Sequence, residues 1–305
     1  MTTASAKPRK RLFKPSAHAL EYDNIPASLR PPPWVKILTI AALVFALLYF
    51  LLPIAWIIFA STKTNSELLT TPGFWFGQNH LGDNYAKLME WTQGLFWRWV
   101  ANSLFYSTFA GVVGTLISVA AGYGMAKFAF PGRGAVMGLI MGGLLMPVAL
   151  LTIPLYIVFH NIGLTNTMWA IIIPSIVSPF GVFLGRVYSD TSVPTELLEA
   201  ARIDGASEAR IFFTMVLRLL APAMVTIFLF IFVATWNNFL LPLMMVSTPE
   251  IRPVTLGLYG MMAYFAPPKG AVMLGALLGV IPLIILFLGL QRFWQSGLAA
   301  GAVKG

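Results

Sequence analysis

The residues of this 305-residue sequence whose types and spacing could do chemistry are suited to gripping a partner rather than to breaking bonds. The first group is Glu199-Ala200-Ala201-Arg202-Ile203-Asp204-Gly205. Two adjacent alanines and a glycine let another backbone come close, and the flanking charges can set register across an interface. Pro194 suits the first position of a helix, and Glu196 and Glu199 lie early, where the helix dipole favours negative charge. Leu197, Ala200 and Ala201 share a face by their spacing. Gly205 suits the end of that helix, and Ser207 suits the cap of a second one containing Ile211. The pattern predicts a helix-turn-helix over 190–212, read as either a dock or an ordinary loop. The second group is Trp236-Asn237-Asn238. An aromatic face beside two amides can hold a sugar, and it can equally anchor a helix at a membrane interface and bond to its neighbours.

Reactive constellations are missing. The sequence has no cysteine and three histidines, so a disulfide framework, a thiolate metal site and a cysteine nucleophile are excluded. It has no G-x-x-x-x-G-K-[ST] phosphate loop, no G-x-S-x-G elbow and no H-E-x-x-H pair. No catalytic, cofactor or metal residue is expected, and any driving energy has to come from another chain.

The elements that must position these groups are membrane helices. Hydrophobic residues make up 58% of the chain and charged ones 10%, whereas soluble domains run near 45–50% and about 25%. A crossing helix needs about 20 apolar residues, and six segments qualify: 37–60, 102–126, 135–159, 168–185, 222–246 and 271–290. None holds an acidic or basic residue. That argues against a self-sufficient ion-coupled carrier or channel, the alternative reading, because such carriers usually keep an intramembrane charge. Residues 1–34 are expected to be a basic, proline-rich tail, retained rather than cleaved as a signal peptide, and residues 35–305 the membrane domain.

Lysine and arginine counts orient the spans. Grouping the 20 basic residues by side places 15 with the two termini and the 190–212 loop, and five opposite. The positive-inside rule then puts both termini and that loop in the cytoplasm. The net charge of +9 is therefore a mark of topology and contact with anionic lipid rather than of nucleic-acid binding. The loops 61–98 and 247–269, rich in aromatics, fall outside.

The order Glu199-Ala200-Ala201, Gly205, Ile211 and Leu219-Leu220-Ala221-Pro222 resembles the "EAA" signature of permease subunits of bacterial ABC importers. Further stretches resemble the carbohydrate branch of maltose-permease type G. They are Met146-Pro147, Pro154-Leu155-Tyr156, Gly163-Leu164-Thr165-Asn166-Thr167, Trp236-Asn237-Asn238-Phe239, Leu241-Pro242-Leu243 and the ending 297–305. The resemblance covers about residues 35–305. It implies an all-α integral membrane protein of the bacterial inner membrane, with six spans and a cytoplasmic coupling helix-turn-helix between the fourth and fifth. It also implies a second permease subunit, a dimeric cytoplasmic ATPase that consumes the ATP, an external binding protein and a sugar or polyol substrate. Glu199, Ala200, Ala201, Asp204, Gly205 and Ile211 would couple to the ATPase. Trp236, Asn237 and Asn238 would be candidates for the translocation path.

Overall fold

The computed structural model describes residues 32–302, with side chains to Gln291. Residues 1–31 of the tail expected over 1–34 and the last residues of the C-terminal stretch lie outside the described residues, and Pro33 and Trp34 already belong to the first helix. Among the described residues, all regular structure is helical. The chain divides at Ala55–Trp56. Up to that point it is the greater part of α1 (Pro33–Ser61), which carries no charge after Lys36 and contains Pro53. At 29 residues it is about 44 Å long, enough to cross a bilayer.

The second unit follows in chain order. A loop carrying α2 (Glu67–Thr70) leads to α3 (Leu81–Trp91) and the 32-residue α4 (Phe96–Lys127). Next come α5 (Arg133–Leu145), α6 (Val148–Asn161), α7 (Trp169–Ile176) and α8 (Pro179–Ser192). Two short helices, α9 (Thr195–Ile203) and α10 (Glu208–Ile211), run into a π-helical turn (Phe212–Val216) and α11 (Leu217–Leu219). The chain ends with α12 (Ala221–Trp236), α13 (Leu240–Met245), a 3-10 turn (Pro249–Ile251), α14 (Val254–Met262) and α15 (Lys269–Ala302).

Helix α4 is the axis, with α8 and α12 along its sides. In lipid there is no water to expel between helices, so small residues that let backbones approach decide the packing. A Cβ added at Gly122 would overlap the Gly185–Arg186 main chain. One at Gly185 would sit 2.8 Å from Ser118 O, and one at Gly114 would sit 2.8 Å from Ile176 O. Gly181 meets Ser118, and Gly111 meets the Phe228 ring of α12. These residues recur every three or four positions, one turn apart, and form a continuous seam.

Two of the expected spans are broken. The span expected over 135–159 is α5 and α6, bent by 106°. Pro147 forces Met146 into extended backbone (φ −79°, ψ 122°), which ends α5. The pair still joins opposite ends of α4. Arg133 Nη2 donates to Ala126 O at 3.4 Å, near the end at Lys127. Beyond α6, Asn166 Oδ1 accepts from Ser247 N and Thr248 N at 3.0 and 2.9 Å. The strand of chain just after Thr248 is held to the other end of α4: Trp99 Nε1 donates to Pro249 O at 2.7 Å, and Tyr106 OH to Ile251 O at 2.9 Å. The span expected over 168–185 breaks at Val177–Ser178 and runs on to Ser192, with Ser178 Oγ capping α8 by accepting from Gly181 N at 3.0 Å.

The span expected over 222–246 stops at Trp236. Asn237 Nδ2 donates to Val233 O at 3.0 Å, and Asn238 Oδ1 accepts from Leu241 N at 3.4 Å. Such short amide side chains compete with the helical ladder and end it. Together, α1, α4, the α7–α8 span, α15 and two sharply bent pairs allow the six expected crossings.

Beyond the Phe96 end of α4, the loop after α1 is pinned by one carboxylate. Glu67 Oε2 accepts from Thr64 N and Oε1 from Gln78 N, each at 3.0 Å, and His80 Nε2 lies 3.5 Å from Oε2. The backbone bonds from Thr64 and Gln78 hold the Glu67 carboxyl below its ordinary pKa. Nearby, Asn84 Nδ2 donates to Ser61 O and Lys63 O at 2.9 and 3.0 Å, and buried Lys63 donates to Pro72 O at 2.7 Å.

Two outcomes are expected. Gly122→Ala should destabilise the protein by about 3 kcal/mol or more. The same change at Gly124, which has open space for a Cβ, should be neutral or stabilising by up to about 1 kcal/mol. Thermal unfolding in detergent decides, and equal effects at both sites would remove the seam from the account. For Glu67, a depressed folded pKa means that its contribution is present above the unfolded value and lost as pH falls through the folded one. Amide exchange at Thr64 and Gln78 should therefore accelerate in acid for the native protein. In Glu67→Gln it should be fast throughout and independent of pH over that range, after correction for intrinsic rates.

Candidate functional site

The predicted helix-turn-helix is present at the Lys127 end of α4. Pro194 stands just before α9 as its capping residue, and Thr195 takes the first helical position. The turn is a Schellman motif. Gly205 N donates to Arg202 O and Ala206 N to Ala201 O, both at 3.0 Å, with Gly205 at φ +78°. That left-handed backbone costs an L residue about 1–2 kcal/mol, which explains the glycine there. Ser207 Oγ accepts from Arg210 N at 3.3 Å and caps α10 as expected.

The faces of α9 divide differently from the simple spacing. Ala201 points inward with Leu198, and Ile211 joins them. All three pack in one cluster with Val119 and Tyr123 of α4, Val193, Val216 and Leu220. Leu197 and Ala200 face outward instead, together with Glu196, Glu199 and Ile203. Ile203 is 86% exposed. The exposed isoleucine is the residue of this outward face that sequence reasoning missed. Its signal was the spacing 196, 199, 200, 203, which continues the row of Glu199 and Ala200 by one turn.

Charge stiffens this unit. Arg202 Nε donates to Glu208 Oε1 at 2.6 Å and Nη2 to Oε2 at 3.4 Å, so the two helices are clasped by a two-pronged pair. The hydrogen bond to Glu208 raises the Arg202 guanidinium above its ordinary value. Asp204 ends α9 and is exposed. Below the pair, Tyr123 stacks at a tilt on Phe212, the first residue of the π-helical turn, with ring centres 5.7 Å apart. The chain then bends by 81° into α12. The arrangement is a rigid outward ridge of small, apolar and acidic residues whose inner side is fused to α4. Such a shape can bind a groove and pass on its displacement.

Trp236, Asn237 and Asn238 lie at the far end of α12, so the two predicted groups are not brought together. Trp236 is buried and stacked on Phe232, ring centres 5.8 Å apart. Asn237 is exposed, and Asn238 is half-buried with its carbonyl accepting from Thr255 Oγ1 at 3.1 Å. Of the three, only Asn237 offers its side chain outward.

Residues 114–299 match the family described as the binding-protein-dependent transport system inner membrane component. The arabinooligosaccharides transport system permease protein AraQ of Halalkalibacterium halodurans is 31% identical over 274 residues, covering 89% of this chain and 96% of that protein. The lactose transport system permease protein LacG of Rhizobium radiobacter is 32% identical over 254 residues, covering 83% and 90%. A chain in the crystal structure of a bacterial ABC transporter involved in the import of the acidic polysaccharide alginate superposes with a TM-score of 0.75 at 22% identity, over 86% of this chain and 97% of that one. It shares the fold. The matched segment includes the seam of α4 and α8, the capped helix pair and the last two spans, and on this ground the chain belongs to the family of inner membrane components of binding-protein-dependent transport systems.

Proposed function

We propose that this chain is the permease subunit of a carbohydrate-importing ABC transporter, taking up an oligosaccharide or related polyol. It forms one half of a pathway with a second permease subunit. An external binding protein delivers the substrate, and a dimeric cytoplasmic ATPase supplies the energy, so the chain itself is not an enzyme and binds no cofactor. Both termini and the α9–α10 pair face the cytoplasm, as the 15-to-five distribution of basic residues favours. Relatives named for arabinooligosaccharides, lactose and diacetylchitobiose support a sugar as cargo.

The observation that carries the coupling part is the outward ridge Glu196, Glu199, Ala200 and Ile203, held on a capped helix whose opposite side is buried against α4. A groove on the ATPase receives this ridge, with Ala200 as the point of closest approach and Gly205, Asp204, Ala201 and Ile211 keeping the ridge in place. Moving a pathway from 1:99 to 99:1 between its two openings takes about 5.5 kcal/mol of differential binding. An interface able to deliver that has to be closely packed, which favours alanine at its centre. Within the pathway, Asn237 is the residue of the Trp236 group placed to meet substrate, with Trp236 supporting the helix end.

Ala200→Trp tests the dock, because Ala200 is exposed and a larger side chain leaves the chain's own packing intact. Insertion and thermal stability should match the native protein. Association with the ATPase and ATP-driven sugar uptake into reconstituted vesicles should fall about tenfold or more, a loss of about 1.4 kcal/mol at least. Native coupling in Ala200→Trp would sink the docking assignment. Asn237→Ala should lower uptake while the ATPase stays bound, and uptake at the native rate would return Asn237 to a structural role. Uptake assays with arabinotriose, lactose and diacetylchitobiose test the cargo, and import of none of them would count against a carbohydrate.

A further inference from the structure

The two interrupted spans place their breaks beside each other. Residue Gly143, near the end of α5, faces Pro179: a Cβ there would lie 3.2 Å from Pro179 Cγ. Pro179 opens α8 directly after the Val177–Ser178 break. The depth of this meeting point follows from α4. Ile176 O packs on Gly114, which lies within one turn of the middle of that 32-residue helix. Both breaks are thus near mid-membrane.

Their backbone is open. The N–H groups of Met146 and Val177 make no backbone hydrogen bond, and neither backbone nor side chain from beyond the helices turns back onto the carbonyls that end α5 and α7. The last carbonyls of any helix lack partners within it. Ile176 O is covered by Gly114, but the residues at the breaks are open, with Leu145 86% and Val177 72% exposed. Non-helical backbone at this depth is tolerated only where protein buries it or a wet cavity solvates it. Lipid cannot do so. Immediately after the break stands an aromatic pair, Phe180 against Phe230 of α12, ring centres 4.8 Å apart at 64°, with Phe230 half exposed.

We propose that the Met146–Pro147 and Val177–Ser178 breaks, with Phe230, form a substrate contact point in the wall of the pathway. Its chemistry is a set of carbonyl acceptors and the Ser178 hydroxyl beside an aromatic face. Hydroxyl donors on the edge of a pyranose or furanose meet the carbonyls, and the apolar C–H face of the ring meets Phe230. No charged side chain takes part, so the site favours neutral polyhydroxylated substrates and contributes nothing to an anionic one. This rests on the sugar-permease reading above and adds to it the place and the groups that touch the cargo.

The absence of cysteine from the chain makes the test direct. Single cysteines are introduced by Val177→Cys, by the near-isosteric Ser178→Cys and, as a control at an exposed apolar position on α15, by Ile285→Cys. Each is assembled into the full transporter in vesicles and treated with a membrane-impermeant thiosulfonate, with labelling read on this subunit. Positions 177 and 178 should label about ten-fold faster than 285, because the reagent needs water to reach and ionise the thiol. Arabinotriose, lactose or diacetylchitobiose, whichever the native complex imports, should slow labelling by about five-fold, since a bound ligand covers most of the surface it contacts. Phe230→Leu should remove that protection while labelling without sugar persists. Import of a sugar with 177 and 178 unlabelled, or labelled and unprotected, overturns the contact point and leaves the permease reading standing. Labelled breaks in a complex that imports and is protected by none of the sugars overturn the carbohydrate reading and the contact point together.

Discussion

Where α4 crosses α8 the two main chains touch, with Gly122 lying over Gly185 and Arg186 and nothing between them. In water, two such helices would be driven together by their apolar faces. In a bilayer, lipid satisfies those faces as well as protein does, and what remains is the dispersion gained by close approach. Close approach requires that side chains be absent. Gly122 on one helix and Gly181 and Gly185 on the other supply that absence beside the small Ser118, and Gly114 supplies it where α4 meets Ile176 O of α7. Everything else in the second unit is arranged around this contact. Helix α12 lies along α4 with Gly111 accommodating Phe228, and the ends of both helices are tied by separate devices.

Those devices differ because the two ends have different tasks. At the Phe96 end, side-chain amides, an indole and a phenol reach the carbonyls of an irregular segment. Asn102 Nδ2 donates to Glu250 O and Arg252 O at 2.8 and 3.0 Å, and Ser103 Oγ accepts from Val254 N at 2.8 Å. Directional bonds of this kind shape loops, since each carbonyl has to be found in one place. At the Lys127 end the tie is apolar: Leu198, Ala201, Ile211 and Val216 packed on Val119 and Tyr123. An apolar contact fixes a body without fixing each group, and a packed cluster transmits displacement as a unit because it cannot be compressed.

Much of this was legible in the sequence, and the part that was not has a common cause. Long uncharged apolar runs pointed to six spans, and capping chemistry to the turn at Gly205 and the cap at Ser207, because each is a property of a contiguous stretch of chain. The breaks at Met146 and Val177 were carried by Pro147 and Pro179, which can also begin or bend a helix; whether a proline kinks a span or ends it depends on what lies beside it. Ser178 and the neighbouring α5 decided that here. The inward turn of Ala201 was hidden for a similar reason. Spacing places Leu197, Ala200 and Ala201 on one arc, but only the packing of Tyr123 and Val119 decides where along that arc the boundary between buried and exposed falls. The burial of Trp236 was equally a matter of partners, since Phe232 and the neighbouring helices enclose it.

The seam and the bends together explain how one chain can be both rigid and mobile. Backbone contact makes α4 and α8 a single body, and the cluster under α9 and α10 joins the ridge to that body. A push on Glu199 and Ala200 would then reach the far end of α4 without loss in between. Movement has to appear where the ladder is already interrupted: at the π-helical turn, where Phe212 sits on Tyr123 before the 81° bend into α12, and at the 106° bend between α5 and α6. Both interruptions lie where the chain leaves or approaches the seam at a sharp angle, and the second lies at the depth where substrate would pass. A pathway that opens alternately to two sides needs a stiff lever ending at a flexible wall. Glycine placed for contact makes the lever here, and proline placed for interruption makes the wall.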